Sequence, residues 1–187
     1  MRRAAAAATP SRLNDVSDPF YLLEVEPRFD LDLAFLERRH RDLSRVLHPD
    51  RYAGRPAGER QQALGRAIEV NEAFRTLRDP VRRATALLAR HGRHADEADA
   101  PRADPTLLME VMERREALSE ARRAGNREAV ARLREAVRQR QHEVEREVAA
   151  SFAQDPPELE RIETLLGELR YHRRFMDEAG VALDDLE

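Results

Sequence analysis

The sequence has 187 residues, of which 37% are charged and 5% aromatic, a composition typical of one or two small helical domains rather than of a thick-cored sheet protein. It contains no cysteine and no apolar run near the roughly 20 residues of a membrane span, which excludes disulfides, thiolate catalysis and Cys-ligated metals and argues against a membrane protein. The net charge of -3 is unevenly distributed: positions 18–91 contain 14 arginines and 12 acidic residues, whereas positions 92–187 contain 16 arginines and 23 acidic residues. Two halves of opposite charge indicate two functional modules.

The first residues carry two arginines followed by five alanines, Ala4 to Ala8. This apolar run is shorter than the roughly 7–15 residues in the apolar core of a signal peptide, and alanine is only weakly apolar. We therefore expect residues 1–17 to be a disordered tail on a cytoplasmic protein.

Two helices are predicted at the start of the first module. Ser17 or Asp18 is suited to cap a short helix that begins at Pro19. A second, longer helix follows a cap at Asp30 or Asp32. Its positions at helical spacing predict a stripe that faces a core: Leu36, His40, Leu43 and Leu47.

This second helix must end at His48, because Pro49 disfavours helical backbone angles in the residue before it. A third helix is predicted over residues 59–78, and a short fourth helix follows the break at Pro80. The residues at helical spacing along the third helix are Leu64, Ile68, Asn71, Phe74 or Arg75, and Leu77. The second and third helices then form an antiparallel pair whose connecting loop carries His48, Pro49 and Asp50.

The tripeptide His48-Pro49-Asp50 allows several interpretations. His48 and Asp50 are not expected to hydrogen-bond as a base and its orienter across a proline, and the only serine or cysteine nearby is Ser44 on the preceding helix. A metal-dependent hydrolase using His40, His48 and Asp50 is an alternative, but no recognised ligand spacing supports it. Glycine-rich phosphate loops are absent from the sequence. The simplest alternative is a helix stop with an Asx-type turn.

The stretches "FYLLEV", "LERRHRDLSRVLHPDRY" and "VNEAFRTLRDPVRRATALL" occur in this order within residues 18–90. Together they resemble a J-domain, the module shared by DnaJ-type co-chaperones. Leu47 departs from the pattern, since J-domains often carry tyrosine there. Four arginines are predicted to lie largely on the outside of the second helix: Arg38, Arg39, Arg41 and Arg45.

The resemblance implies that the first module engages a DnaK-class chaperone and accelerates its ATP hydrolysis. The residues that it assigns to this contact are His48, Pro49, Asp50, Arg38, Arg41 and Arg45. Physically, a rigid loop presents a carboxylate at a fixed point, while the arginines steer the encounter with an acidic surface.

The second module is predicted to be an antiparallel three-helix bundle over residues 106–187, joined to the first by a linker over residues 91–105. The first helix runs over residues 106–124 and is stopped by Gly125-Asn126, and the second runs to about Phe152. The second helix buries one stripe: Val130, Leu133, Val137, Val144 and Val148. The third runs over residues 158–179 and closes at Gly180.

Two helices of this bundle are predicted to expose a mixed apolar and acidic surface. On the first, Leu107, Val111 and Leu118 face the bundle, whereas a second set faces outward: Leu108, Met109, Met112, Glu113, Glu116 and Glu120. On the third, Leu159, Ile162, Leu166 and Leu169 form the core side, and Tyr171 and Phe175 point away from it. Adaptable apolar side chains with a carboxylate rim are typical of a protein-binding surface, although any one of them could instead widen the core.

A J-domain followed by a helical bundle with the stretch "LLMEVMERREALSE" resembles the HscB-type J-protein of iron–sulfur cluster assembly. The resemblance implies that the iron–sulfur scaffold protein binds Leu108, Met109, Met112, Glu113, Glu116, Glu120 and Tyr171. The family commonly has phenylalanine at the last of these positions. The fold class expected is therefore all-α, with a J-domain hairpin and its flanking helices joined to a three-helix scaffold-binding domain.

The expected function is that of a co-chaperone, not an enzyme, which binds the scaffold protein and delivers it to a specialised DnaK- or HscA-class chaperone while stimulating its ATPase. No cofactor or resident metal, no nucleic acid and no membrane is expected as a partner. A J-domain co-chaperone for a different client is the main alternative. A helical protein that binds nucleic acid through its basic helix is another, but the chain is acidic overall and has no base-reading motif.

Overall fold

A computed structural model of the chain describes residues 18–94 and 105–186. The predicted tail 1–17 and most of the predicted linker 91–105 lie outside these residues. All regular elements in the described part are helices, which confirms the all-α prediction. They are α1 (Pro19–Leu22), α2 (Leu33–Val46), a 3₁₀ helix (Pro49–Tyr52), α3 (Ala57–Arg78), α4 (Pro80–Arg90), α5 (Pro105–Arg123), α6 (Arg127–Phe152) and α7 (Leu159–Asp184).

The contacts within the chain divide it into two compact units, residues 1–86 and 87–187. The boundary falls within α4. None of the helices in the described ranges is both long enough and apolar enough to span a bilayer.

Side-chain caps fix where the helices of the first unit begin. The Asp18 carboxylate accepts a hydrogen bond from the backbone N–H of Phe20 at 2.9 Å, and that of Asp32 accepts from the N–H of Phe35 at 3.0 Å. Each bond satisfies an N–H group that has no partner in the first turn of a helix. Asp18 and Asp32 are thus the caps among the predicted alternatives.

The hairpin of the first unit consists of α2 and α3, with α1 packed against α3. His40 lies on the predicted core stripe of α2. Its ring stacks on that of Phe74 in α3 with 4.1 Å between centroids, and its Nε2 lies 2.8 Å from Oδ1 of Asn71. The ring stacking and the hydrogen bond together join the two helices of the hairpin.

The residues at helical spacing along α3 are not all buried. Leu64 and Ile68 are 54% and 61% exposed. The residues of α3 that are buried are Ala63, Val70, Ala73 and Leu77. Two of these are alanines, whose small side chains let neighbouring helices approach closely, so the larger Leu64 and Ile68 are left on the outer side.

The second unit is a bundle in which α7 contacts both α5 and α6. The predicted stripe of α6 is confirmed, since Val130, Val137, Val144 and Val148 are buried and Leu133 packs against the core cluster. The turn from α5 to α6 contains Gly125 with φ of 64°. The N–H of Asn126 donates to the Ala121 carbonyl and that of Gly125 to the Arg122 carbonyl, which is the Schellman pattern of a helix end.

Helix α7 differs from its prediction in length and in its buried face. It passes through Gly180 and ends at Asp184, because the buried Ala179 and Ala182 hold the last turns in the core and this outweighs the roughly 1 kcal/mol cost of a helical glycine. Phe175 was predicted to point outward but is only 6% exposed. A helix that contacts two neighbours buries a wider arc than one stripe, and Phe175 lies in that arc.

Candidate functional site

The tripeptide His48-Pro49-Asp50 lies on the surface, at the loop between α2 and α3. α2 ends at Val46, and His48 has extended backbone angles of φ -61° and ψ 132°. Pro49 then begins the 3₁₀ helix, where its fixed φ suits the first position. The sequence thus places an exposed histidine and an exposed carboxylate on a turn that a proline makes rigid.

His48 and Asp50 are closer together than expected. Nδ1 of His48 accepts a hydrogen bond from the backbone N–H of Asp50 at 3.3 Å and lies 3.5 Å from Oδ2 of the same residue. A nitrogen that accepts from the backbone carries no proton to give to the carboxylate, so the imidazole caps the turn and does not form a base–orienter pair. The nearby Ser44 hydroxyl lies 3.3 Å from Nε2 of His40 and not beside His48.

A metal site at His40, His48 and Asp50 is not formed in the structure. Nε2 of His40 is directed at Asn71 of α3, whereas His48 and Asp50 lie on the loop beyond the end of α2. Within residues 18–94 and 105–186, no group of three or more histidine, aspartate or glutamate side chains is arranged to hold a metal ion.

Three arginines of α2 form an exposed basic face, defined here as Arg38, Arg41 and Arg45. They recur at i, i+3 and i+7, which places them on one side of the helix. Arg41 and Arg45 each lie 3.9 Å from a carboxylate on the same helix, Glu37 and Asp42 respectively. Such solvated pairs contribute little to stability, so these guanidinium groups can exchange partners readily.

Arg39 does not belong to this basic face, although it was predicted to lie largely outside. It is half-buried, its Nε donates to the Leu23 carbonyl at 3.4 Å, and its guanidinium pairs with Glu24. Arg39 therefore ties α2 to the end of α1.

The outward face of α5 is exposed as predicted, and we call it the acidic–apolar patch: Leu108, Met109, Met112, Glu113, Glu116 and Glu120. Both methionines are 64% exposed. The buried residues of α5 are Leu118 and Ala121, on the opposite side. Met109 and Met112 also line a shallow surface depression together with Arg115.

Tyr171 on α7 is half-buried and lines a neighbouring pocket with Val111 of α5. Arg115 lines both this pocket and the depression beside Met112, so the two are adjacent on the surface. Arg115 donates from Nε to Glu178 at 3.1 Å, and this hydrogen bond and the charge of Glu178 raise the pKa of Arg115. This pair was not predicted from the sequence, because residues 63 positions apart leave no local signal.

The pocket beside Tyr171 has a volume of about 100 Å³ and contains a buried histidine in its wall. His172 is 2% exposed, and neither ring nitrogen has a hydrogen-bond partner. Burial, and then the positive charges of Arg114 and Arg140, lower the pKa of His172 to about 4. His172 is therefore a neutral imidazole, which the sequence pattern did not single out.

The chain is similar in sequence to known co-chaperones. Residues 103–180 match a family model described as the HSCB C-terminal oligomerisation domain. A co-chaperone HscB homolog from Neisseria meningitidis serogroup C is 37% identical over 138 residues, which cover 74% of this chain and 83% of the relative. The HscB homolog of Neisseria gonorrhoeae has the same identity over the same length.

Two solved structures are similar over most of the chain. Chaperone HscB from Vibrio cholerae has a TM-score of 0.79 at 27% identity, covering 91% of this chain and 99% of its own. Human co-chaperone HscB has a TM-score of 0.80 at 30% identity, covering 96% of this chain and 86% of its own.

Proposed function

The chain belongs to the HscB family of co-chaperones, and from that premise we propose that it delivers an iron–sulfur cluster scaffold protein to a DnaK- or HscA-class chaperone and stimulates that chaperone's ATP hydrolysis. The observation that carries the proposal is the exposed His48-Pro49-Asp50 turn at the tip of a helical hairpin. The protein performs no reaction itself in this proposal and acts in the cytoplasm by joining two partners.

The chaperone contact is proposed to use the His48-Pro49-Asp50 turn and the basic face of α2. The turn is rigid, since Pro49 fixes one backbone angle and the His48 imidazole accepts a hydrogen bond from the backbone N–H of Asp50. A rigid loop loses little conformational entropy on binding. The weakly paired arginines of the basic face supply the long-range attraction to an acidic chaperone surface.

The scaffold contact is proposed to use the acidic–apolar patch and Tyr171. Met109 and Met112 project far from the helix, and their unbranched side chains adapt to the shape of a partner. The exposed Glu113, Glu116 and Glu120 surround them and favour a partner surface with basic groups. Tyr171 adds an aromatic ring, the residue type most often found at the centre of such interfaces.

The two contacts are proposed to lie on separate domains: a J-domain at residues 18–90 and a scaffold-binding domain at residues 106–187, joined by a linker at residues 91–105. One molecule that holds both partners raises the effective concentration of scaffold at the chaperone. ATP hydrolysis then traps the scaffold in the chaperone, which favours release of the cluster to an acceptor.

The proposal is tested by the steady-state ATPase rate of the purified chaperone with this protein and the scaffold protein. We expect the native chain to raise the rate and His48→Gln to abolish most of the increase, because the substitution removes the imidazole at the turn. His142→Gln is the matched control, since His142 is an exposed histidine on α6. Equal stimulation by the native chain and His48→Gln would refute the proposed role of the turn, and no stimulation by either would refute the chaperone assignment.

A further inference from the structure

The pocket beside Tyr171 has features that the fold by itself does not require. Its apolar wall comes from all three helices of the bundle and includes Val111, Val137 and Phe175. Within this wall lies His172, with two ring nitrogens that have no hydrogen-bond partner. A buried polar group without a partner destabilises a protein, whereas an apolar side chain of similar shape would pack there without that cost.

The charges around the pocket are mostly positive. Arg114, Arg115 and Arg174 line it, against one carboxylate, that of Glu178. Glu178 is engaged by Arg115, and Arg114 pairs with Glu110 at 2.9 Å. Arg174 is exposed, and no carboxylate pairs with it in the described part of the chain.

Charged groups from all three helices of the bundle surround His172. Arg114 approaches from α5 and Arg140 from α6, and both disfavour a positive charge on the imidazole. On its own helix, the carboxylate of Glu168 lies 3.7 Å from Nε2, but Arg140 holds that carboxylate through Nε at 2.9 Å. Burial is the largest cause of the lowered pKa of His172, and the positive charges of Arg114 and Arg140, which lower it further, favour an anion beside the imidazole.

We propose that this pocket receives the carboxylate of an acidic side chain of the scaffold protein, bound by the N–H of neutral His172 and by the Arg174 guanidinium. The inference rests on the proposed scaffold contact and extends it. Tyr171 belongs to both, and Arg115 connects the pocket to the depression beside Met112, so a partner seated on the acidic–apolar patch reaches the pocket mouth. The volume of about 100 Å³ is sufficient for the end of one acidic side chain.

The same features argue against an aliphatic side chain as the occupant. Such a group would leave both nitrogens of His172 unpaired and would remove water from Arg174 without replacing its interactions. A carboxylate can accept a hydrogen bond from the N–H of His172 and a charge-assisted hydrogen bond from the Arg174 guanidinium at the same time. The partner is thus expected to present basic groups to the glutamates of the patch and one acidic side chain to the pocket.

The test measures the dissociation constant of the full-length chain and the purified scaffold protein by calorimetry. We expect Arg174→Glu to weaken binding on the order of tenfold or more and His172→Leu on the order of fivefold, because each removes a group that binds the carboxylate. His172→Leu should at the same time raise the melting temperature at pH 7, since it removes the unpaired buried imidazole. A residue with only a structural role would not weaken binding while its replacement stabilises the fold.

Two reference variants make the outcomes distinct. Arg134→Glu makes the same change in charge at an exposed arginine of α6, and we expect less than about twofold effect. The double variant Met109→Ala/Met112→Ala tests the patch itself. One outcome is that the double variant weakens binding while Arg174→Glu has no larger effect on the dissociation constant than Arg134→Glu and His172→Leu binds as the native chain does. That result would overturn the pocket proposal and leave the proposed scaffold contact at the patch standing. If the native chain does not bind the scaffold, both are overturned.

The identity of the acidic side chain follows from a double-mutant cycle. Exposed aspartates and glutamates of the scaffold protein are changed singly to the amide and titrated against the native chain and against Arg174→Gln. One scaffold substitution should weaken binding to the native chain and have little further effect on Arg174→Gln. Additive effects for all scaffold substitutions would contradict the proposal.

Discussion

Two histidines of this chain differ in role because one is exposed and the other is buried. His48 is exposed on a turn, where its ring accepts a backbone hydrogen bond and remains accessible to a partner. His172 is buried in the bundle, where desolvation and two arginines hold it neutral. A residue type that suggests catalysis in the sequence thus acts in the structure as a turn cap in one place and, in our proposal, as a hydrogen-bond donor in the other.

The buried imidazole makes the stability of the fold depend on pH. The pKa of His172 is lowered from 6.5 to about 4, so the unfolded chain binds a proton at a higher pH than the folded chain. Above pH 6.5 the imidazole is neutral in both states, and as the pH falls from 6.5 towards 4 the fold is destabilised increasingly, because folding must release the proton that the unfolded chain binds. Between pH 7 and 4.5 the native chain should lose about 2 kcal/mol more unfolding free energy than His172→Leu.

Urea unfolding of both proteins at the two pH values measures this difference. The comparison with His172→Leu removes the contribution of carboxylates, which titrate over the same range in both proteins. Parallel losses of stability would mean that the imidazole is not held neutral by the fold.

At the scale of the helices, two glycines show that the same residue can end a helix or lie within one. Gly125 adopts φ of 64° after α5, where the N–H groups of Gly125 and Asn126 bond back to carbonyls of the last turn. Gly180 lies within α7, where buried alanines on either side keep the chain helical. The backbone conformation that packing requires decides between the two outcomes.

Alanine substitutions at these glycines should therefore change stability in opposite directions. Gly125→Ala should cost about 1 kcal/mol or more, because a side chain disfavours a positive φ. Gly180→Ala should stabilise the chain by about 0.5–1 kcal/mol, since alanine favours the helix and a Cβ at that position meets no atom within 4 Å. Denaturant unfolding measures both, and a loss of stability in Gly180→Ala would contradict the account of α7.

At the scale of the whole molecule, the two proposed binding surfaces lie in different compact units. The His48-Pro49-Asp50 turn and the basic face belong to residues 1–86, and the acidic–apolar patch and Tyr171 belong to residues 87–187. The difference in charge along the chain follows the same division, since the arginine excess lies over residues 18–91 and the acidic excess over residues 92–187. Each unit can then adapt to its own partner without altering the surface of the other.

Substitutions should accordingly separate the two activities. The double variant Met109→Ala/Met112→Ala should weaken scaffold binding by about tenfold or more, with stimulation of the chaperone in the absence of scaffold unchanged. His48→Gln should abolish most of the stimulation of the chaperone and leave scaffold binding unchanged. Leu64→Ala is the control, because Leu64 is an exposed apolar residue of the first unit and its loss should affect neither measurement. Calorimetry and ATPase assays on the same preparations test this, and a variant that impairs both equally would contradict separate surfaces.

Much of the fold follows from local patterns in the sequence. Caps, prolines and helical spacing predicted the helices of both modules, mostly to within two residues at their ends, and the exposure of the acidic–apolar patch on α5. These features depend on residues within one or two turns of each other, so they can be recognised without knowing what packs nearby. The order of motifs in the first module also indicated its family, which the similarity to HscB proteins confirms.

The tertiary structure decided which helix faces are buried and which distant side chains meet. The exposure of Leu64 and Ile68, the burial of Phe175 and the continuation of α7 through Gly180 depend on the number and position of neighbouring helices. The Arg115–Glu178 pair and the unpaired imidazole of His172 likewise arise where helices distant in sequence converge. Helical periodicity specifies the direction of each side chain relative to its own axis, whereas burial and charge environment are set by the elements packed around that axis.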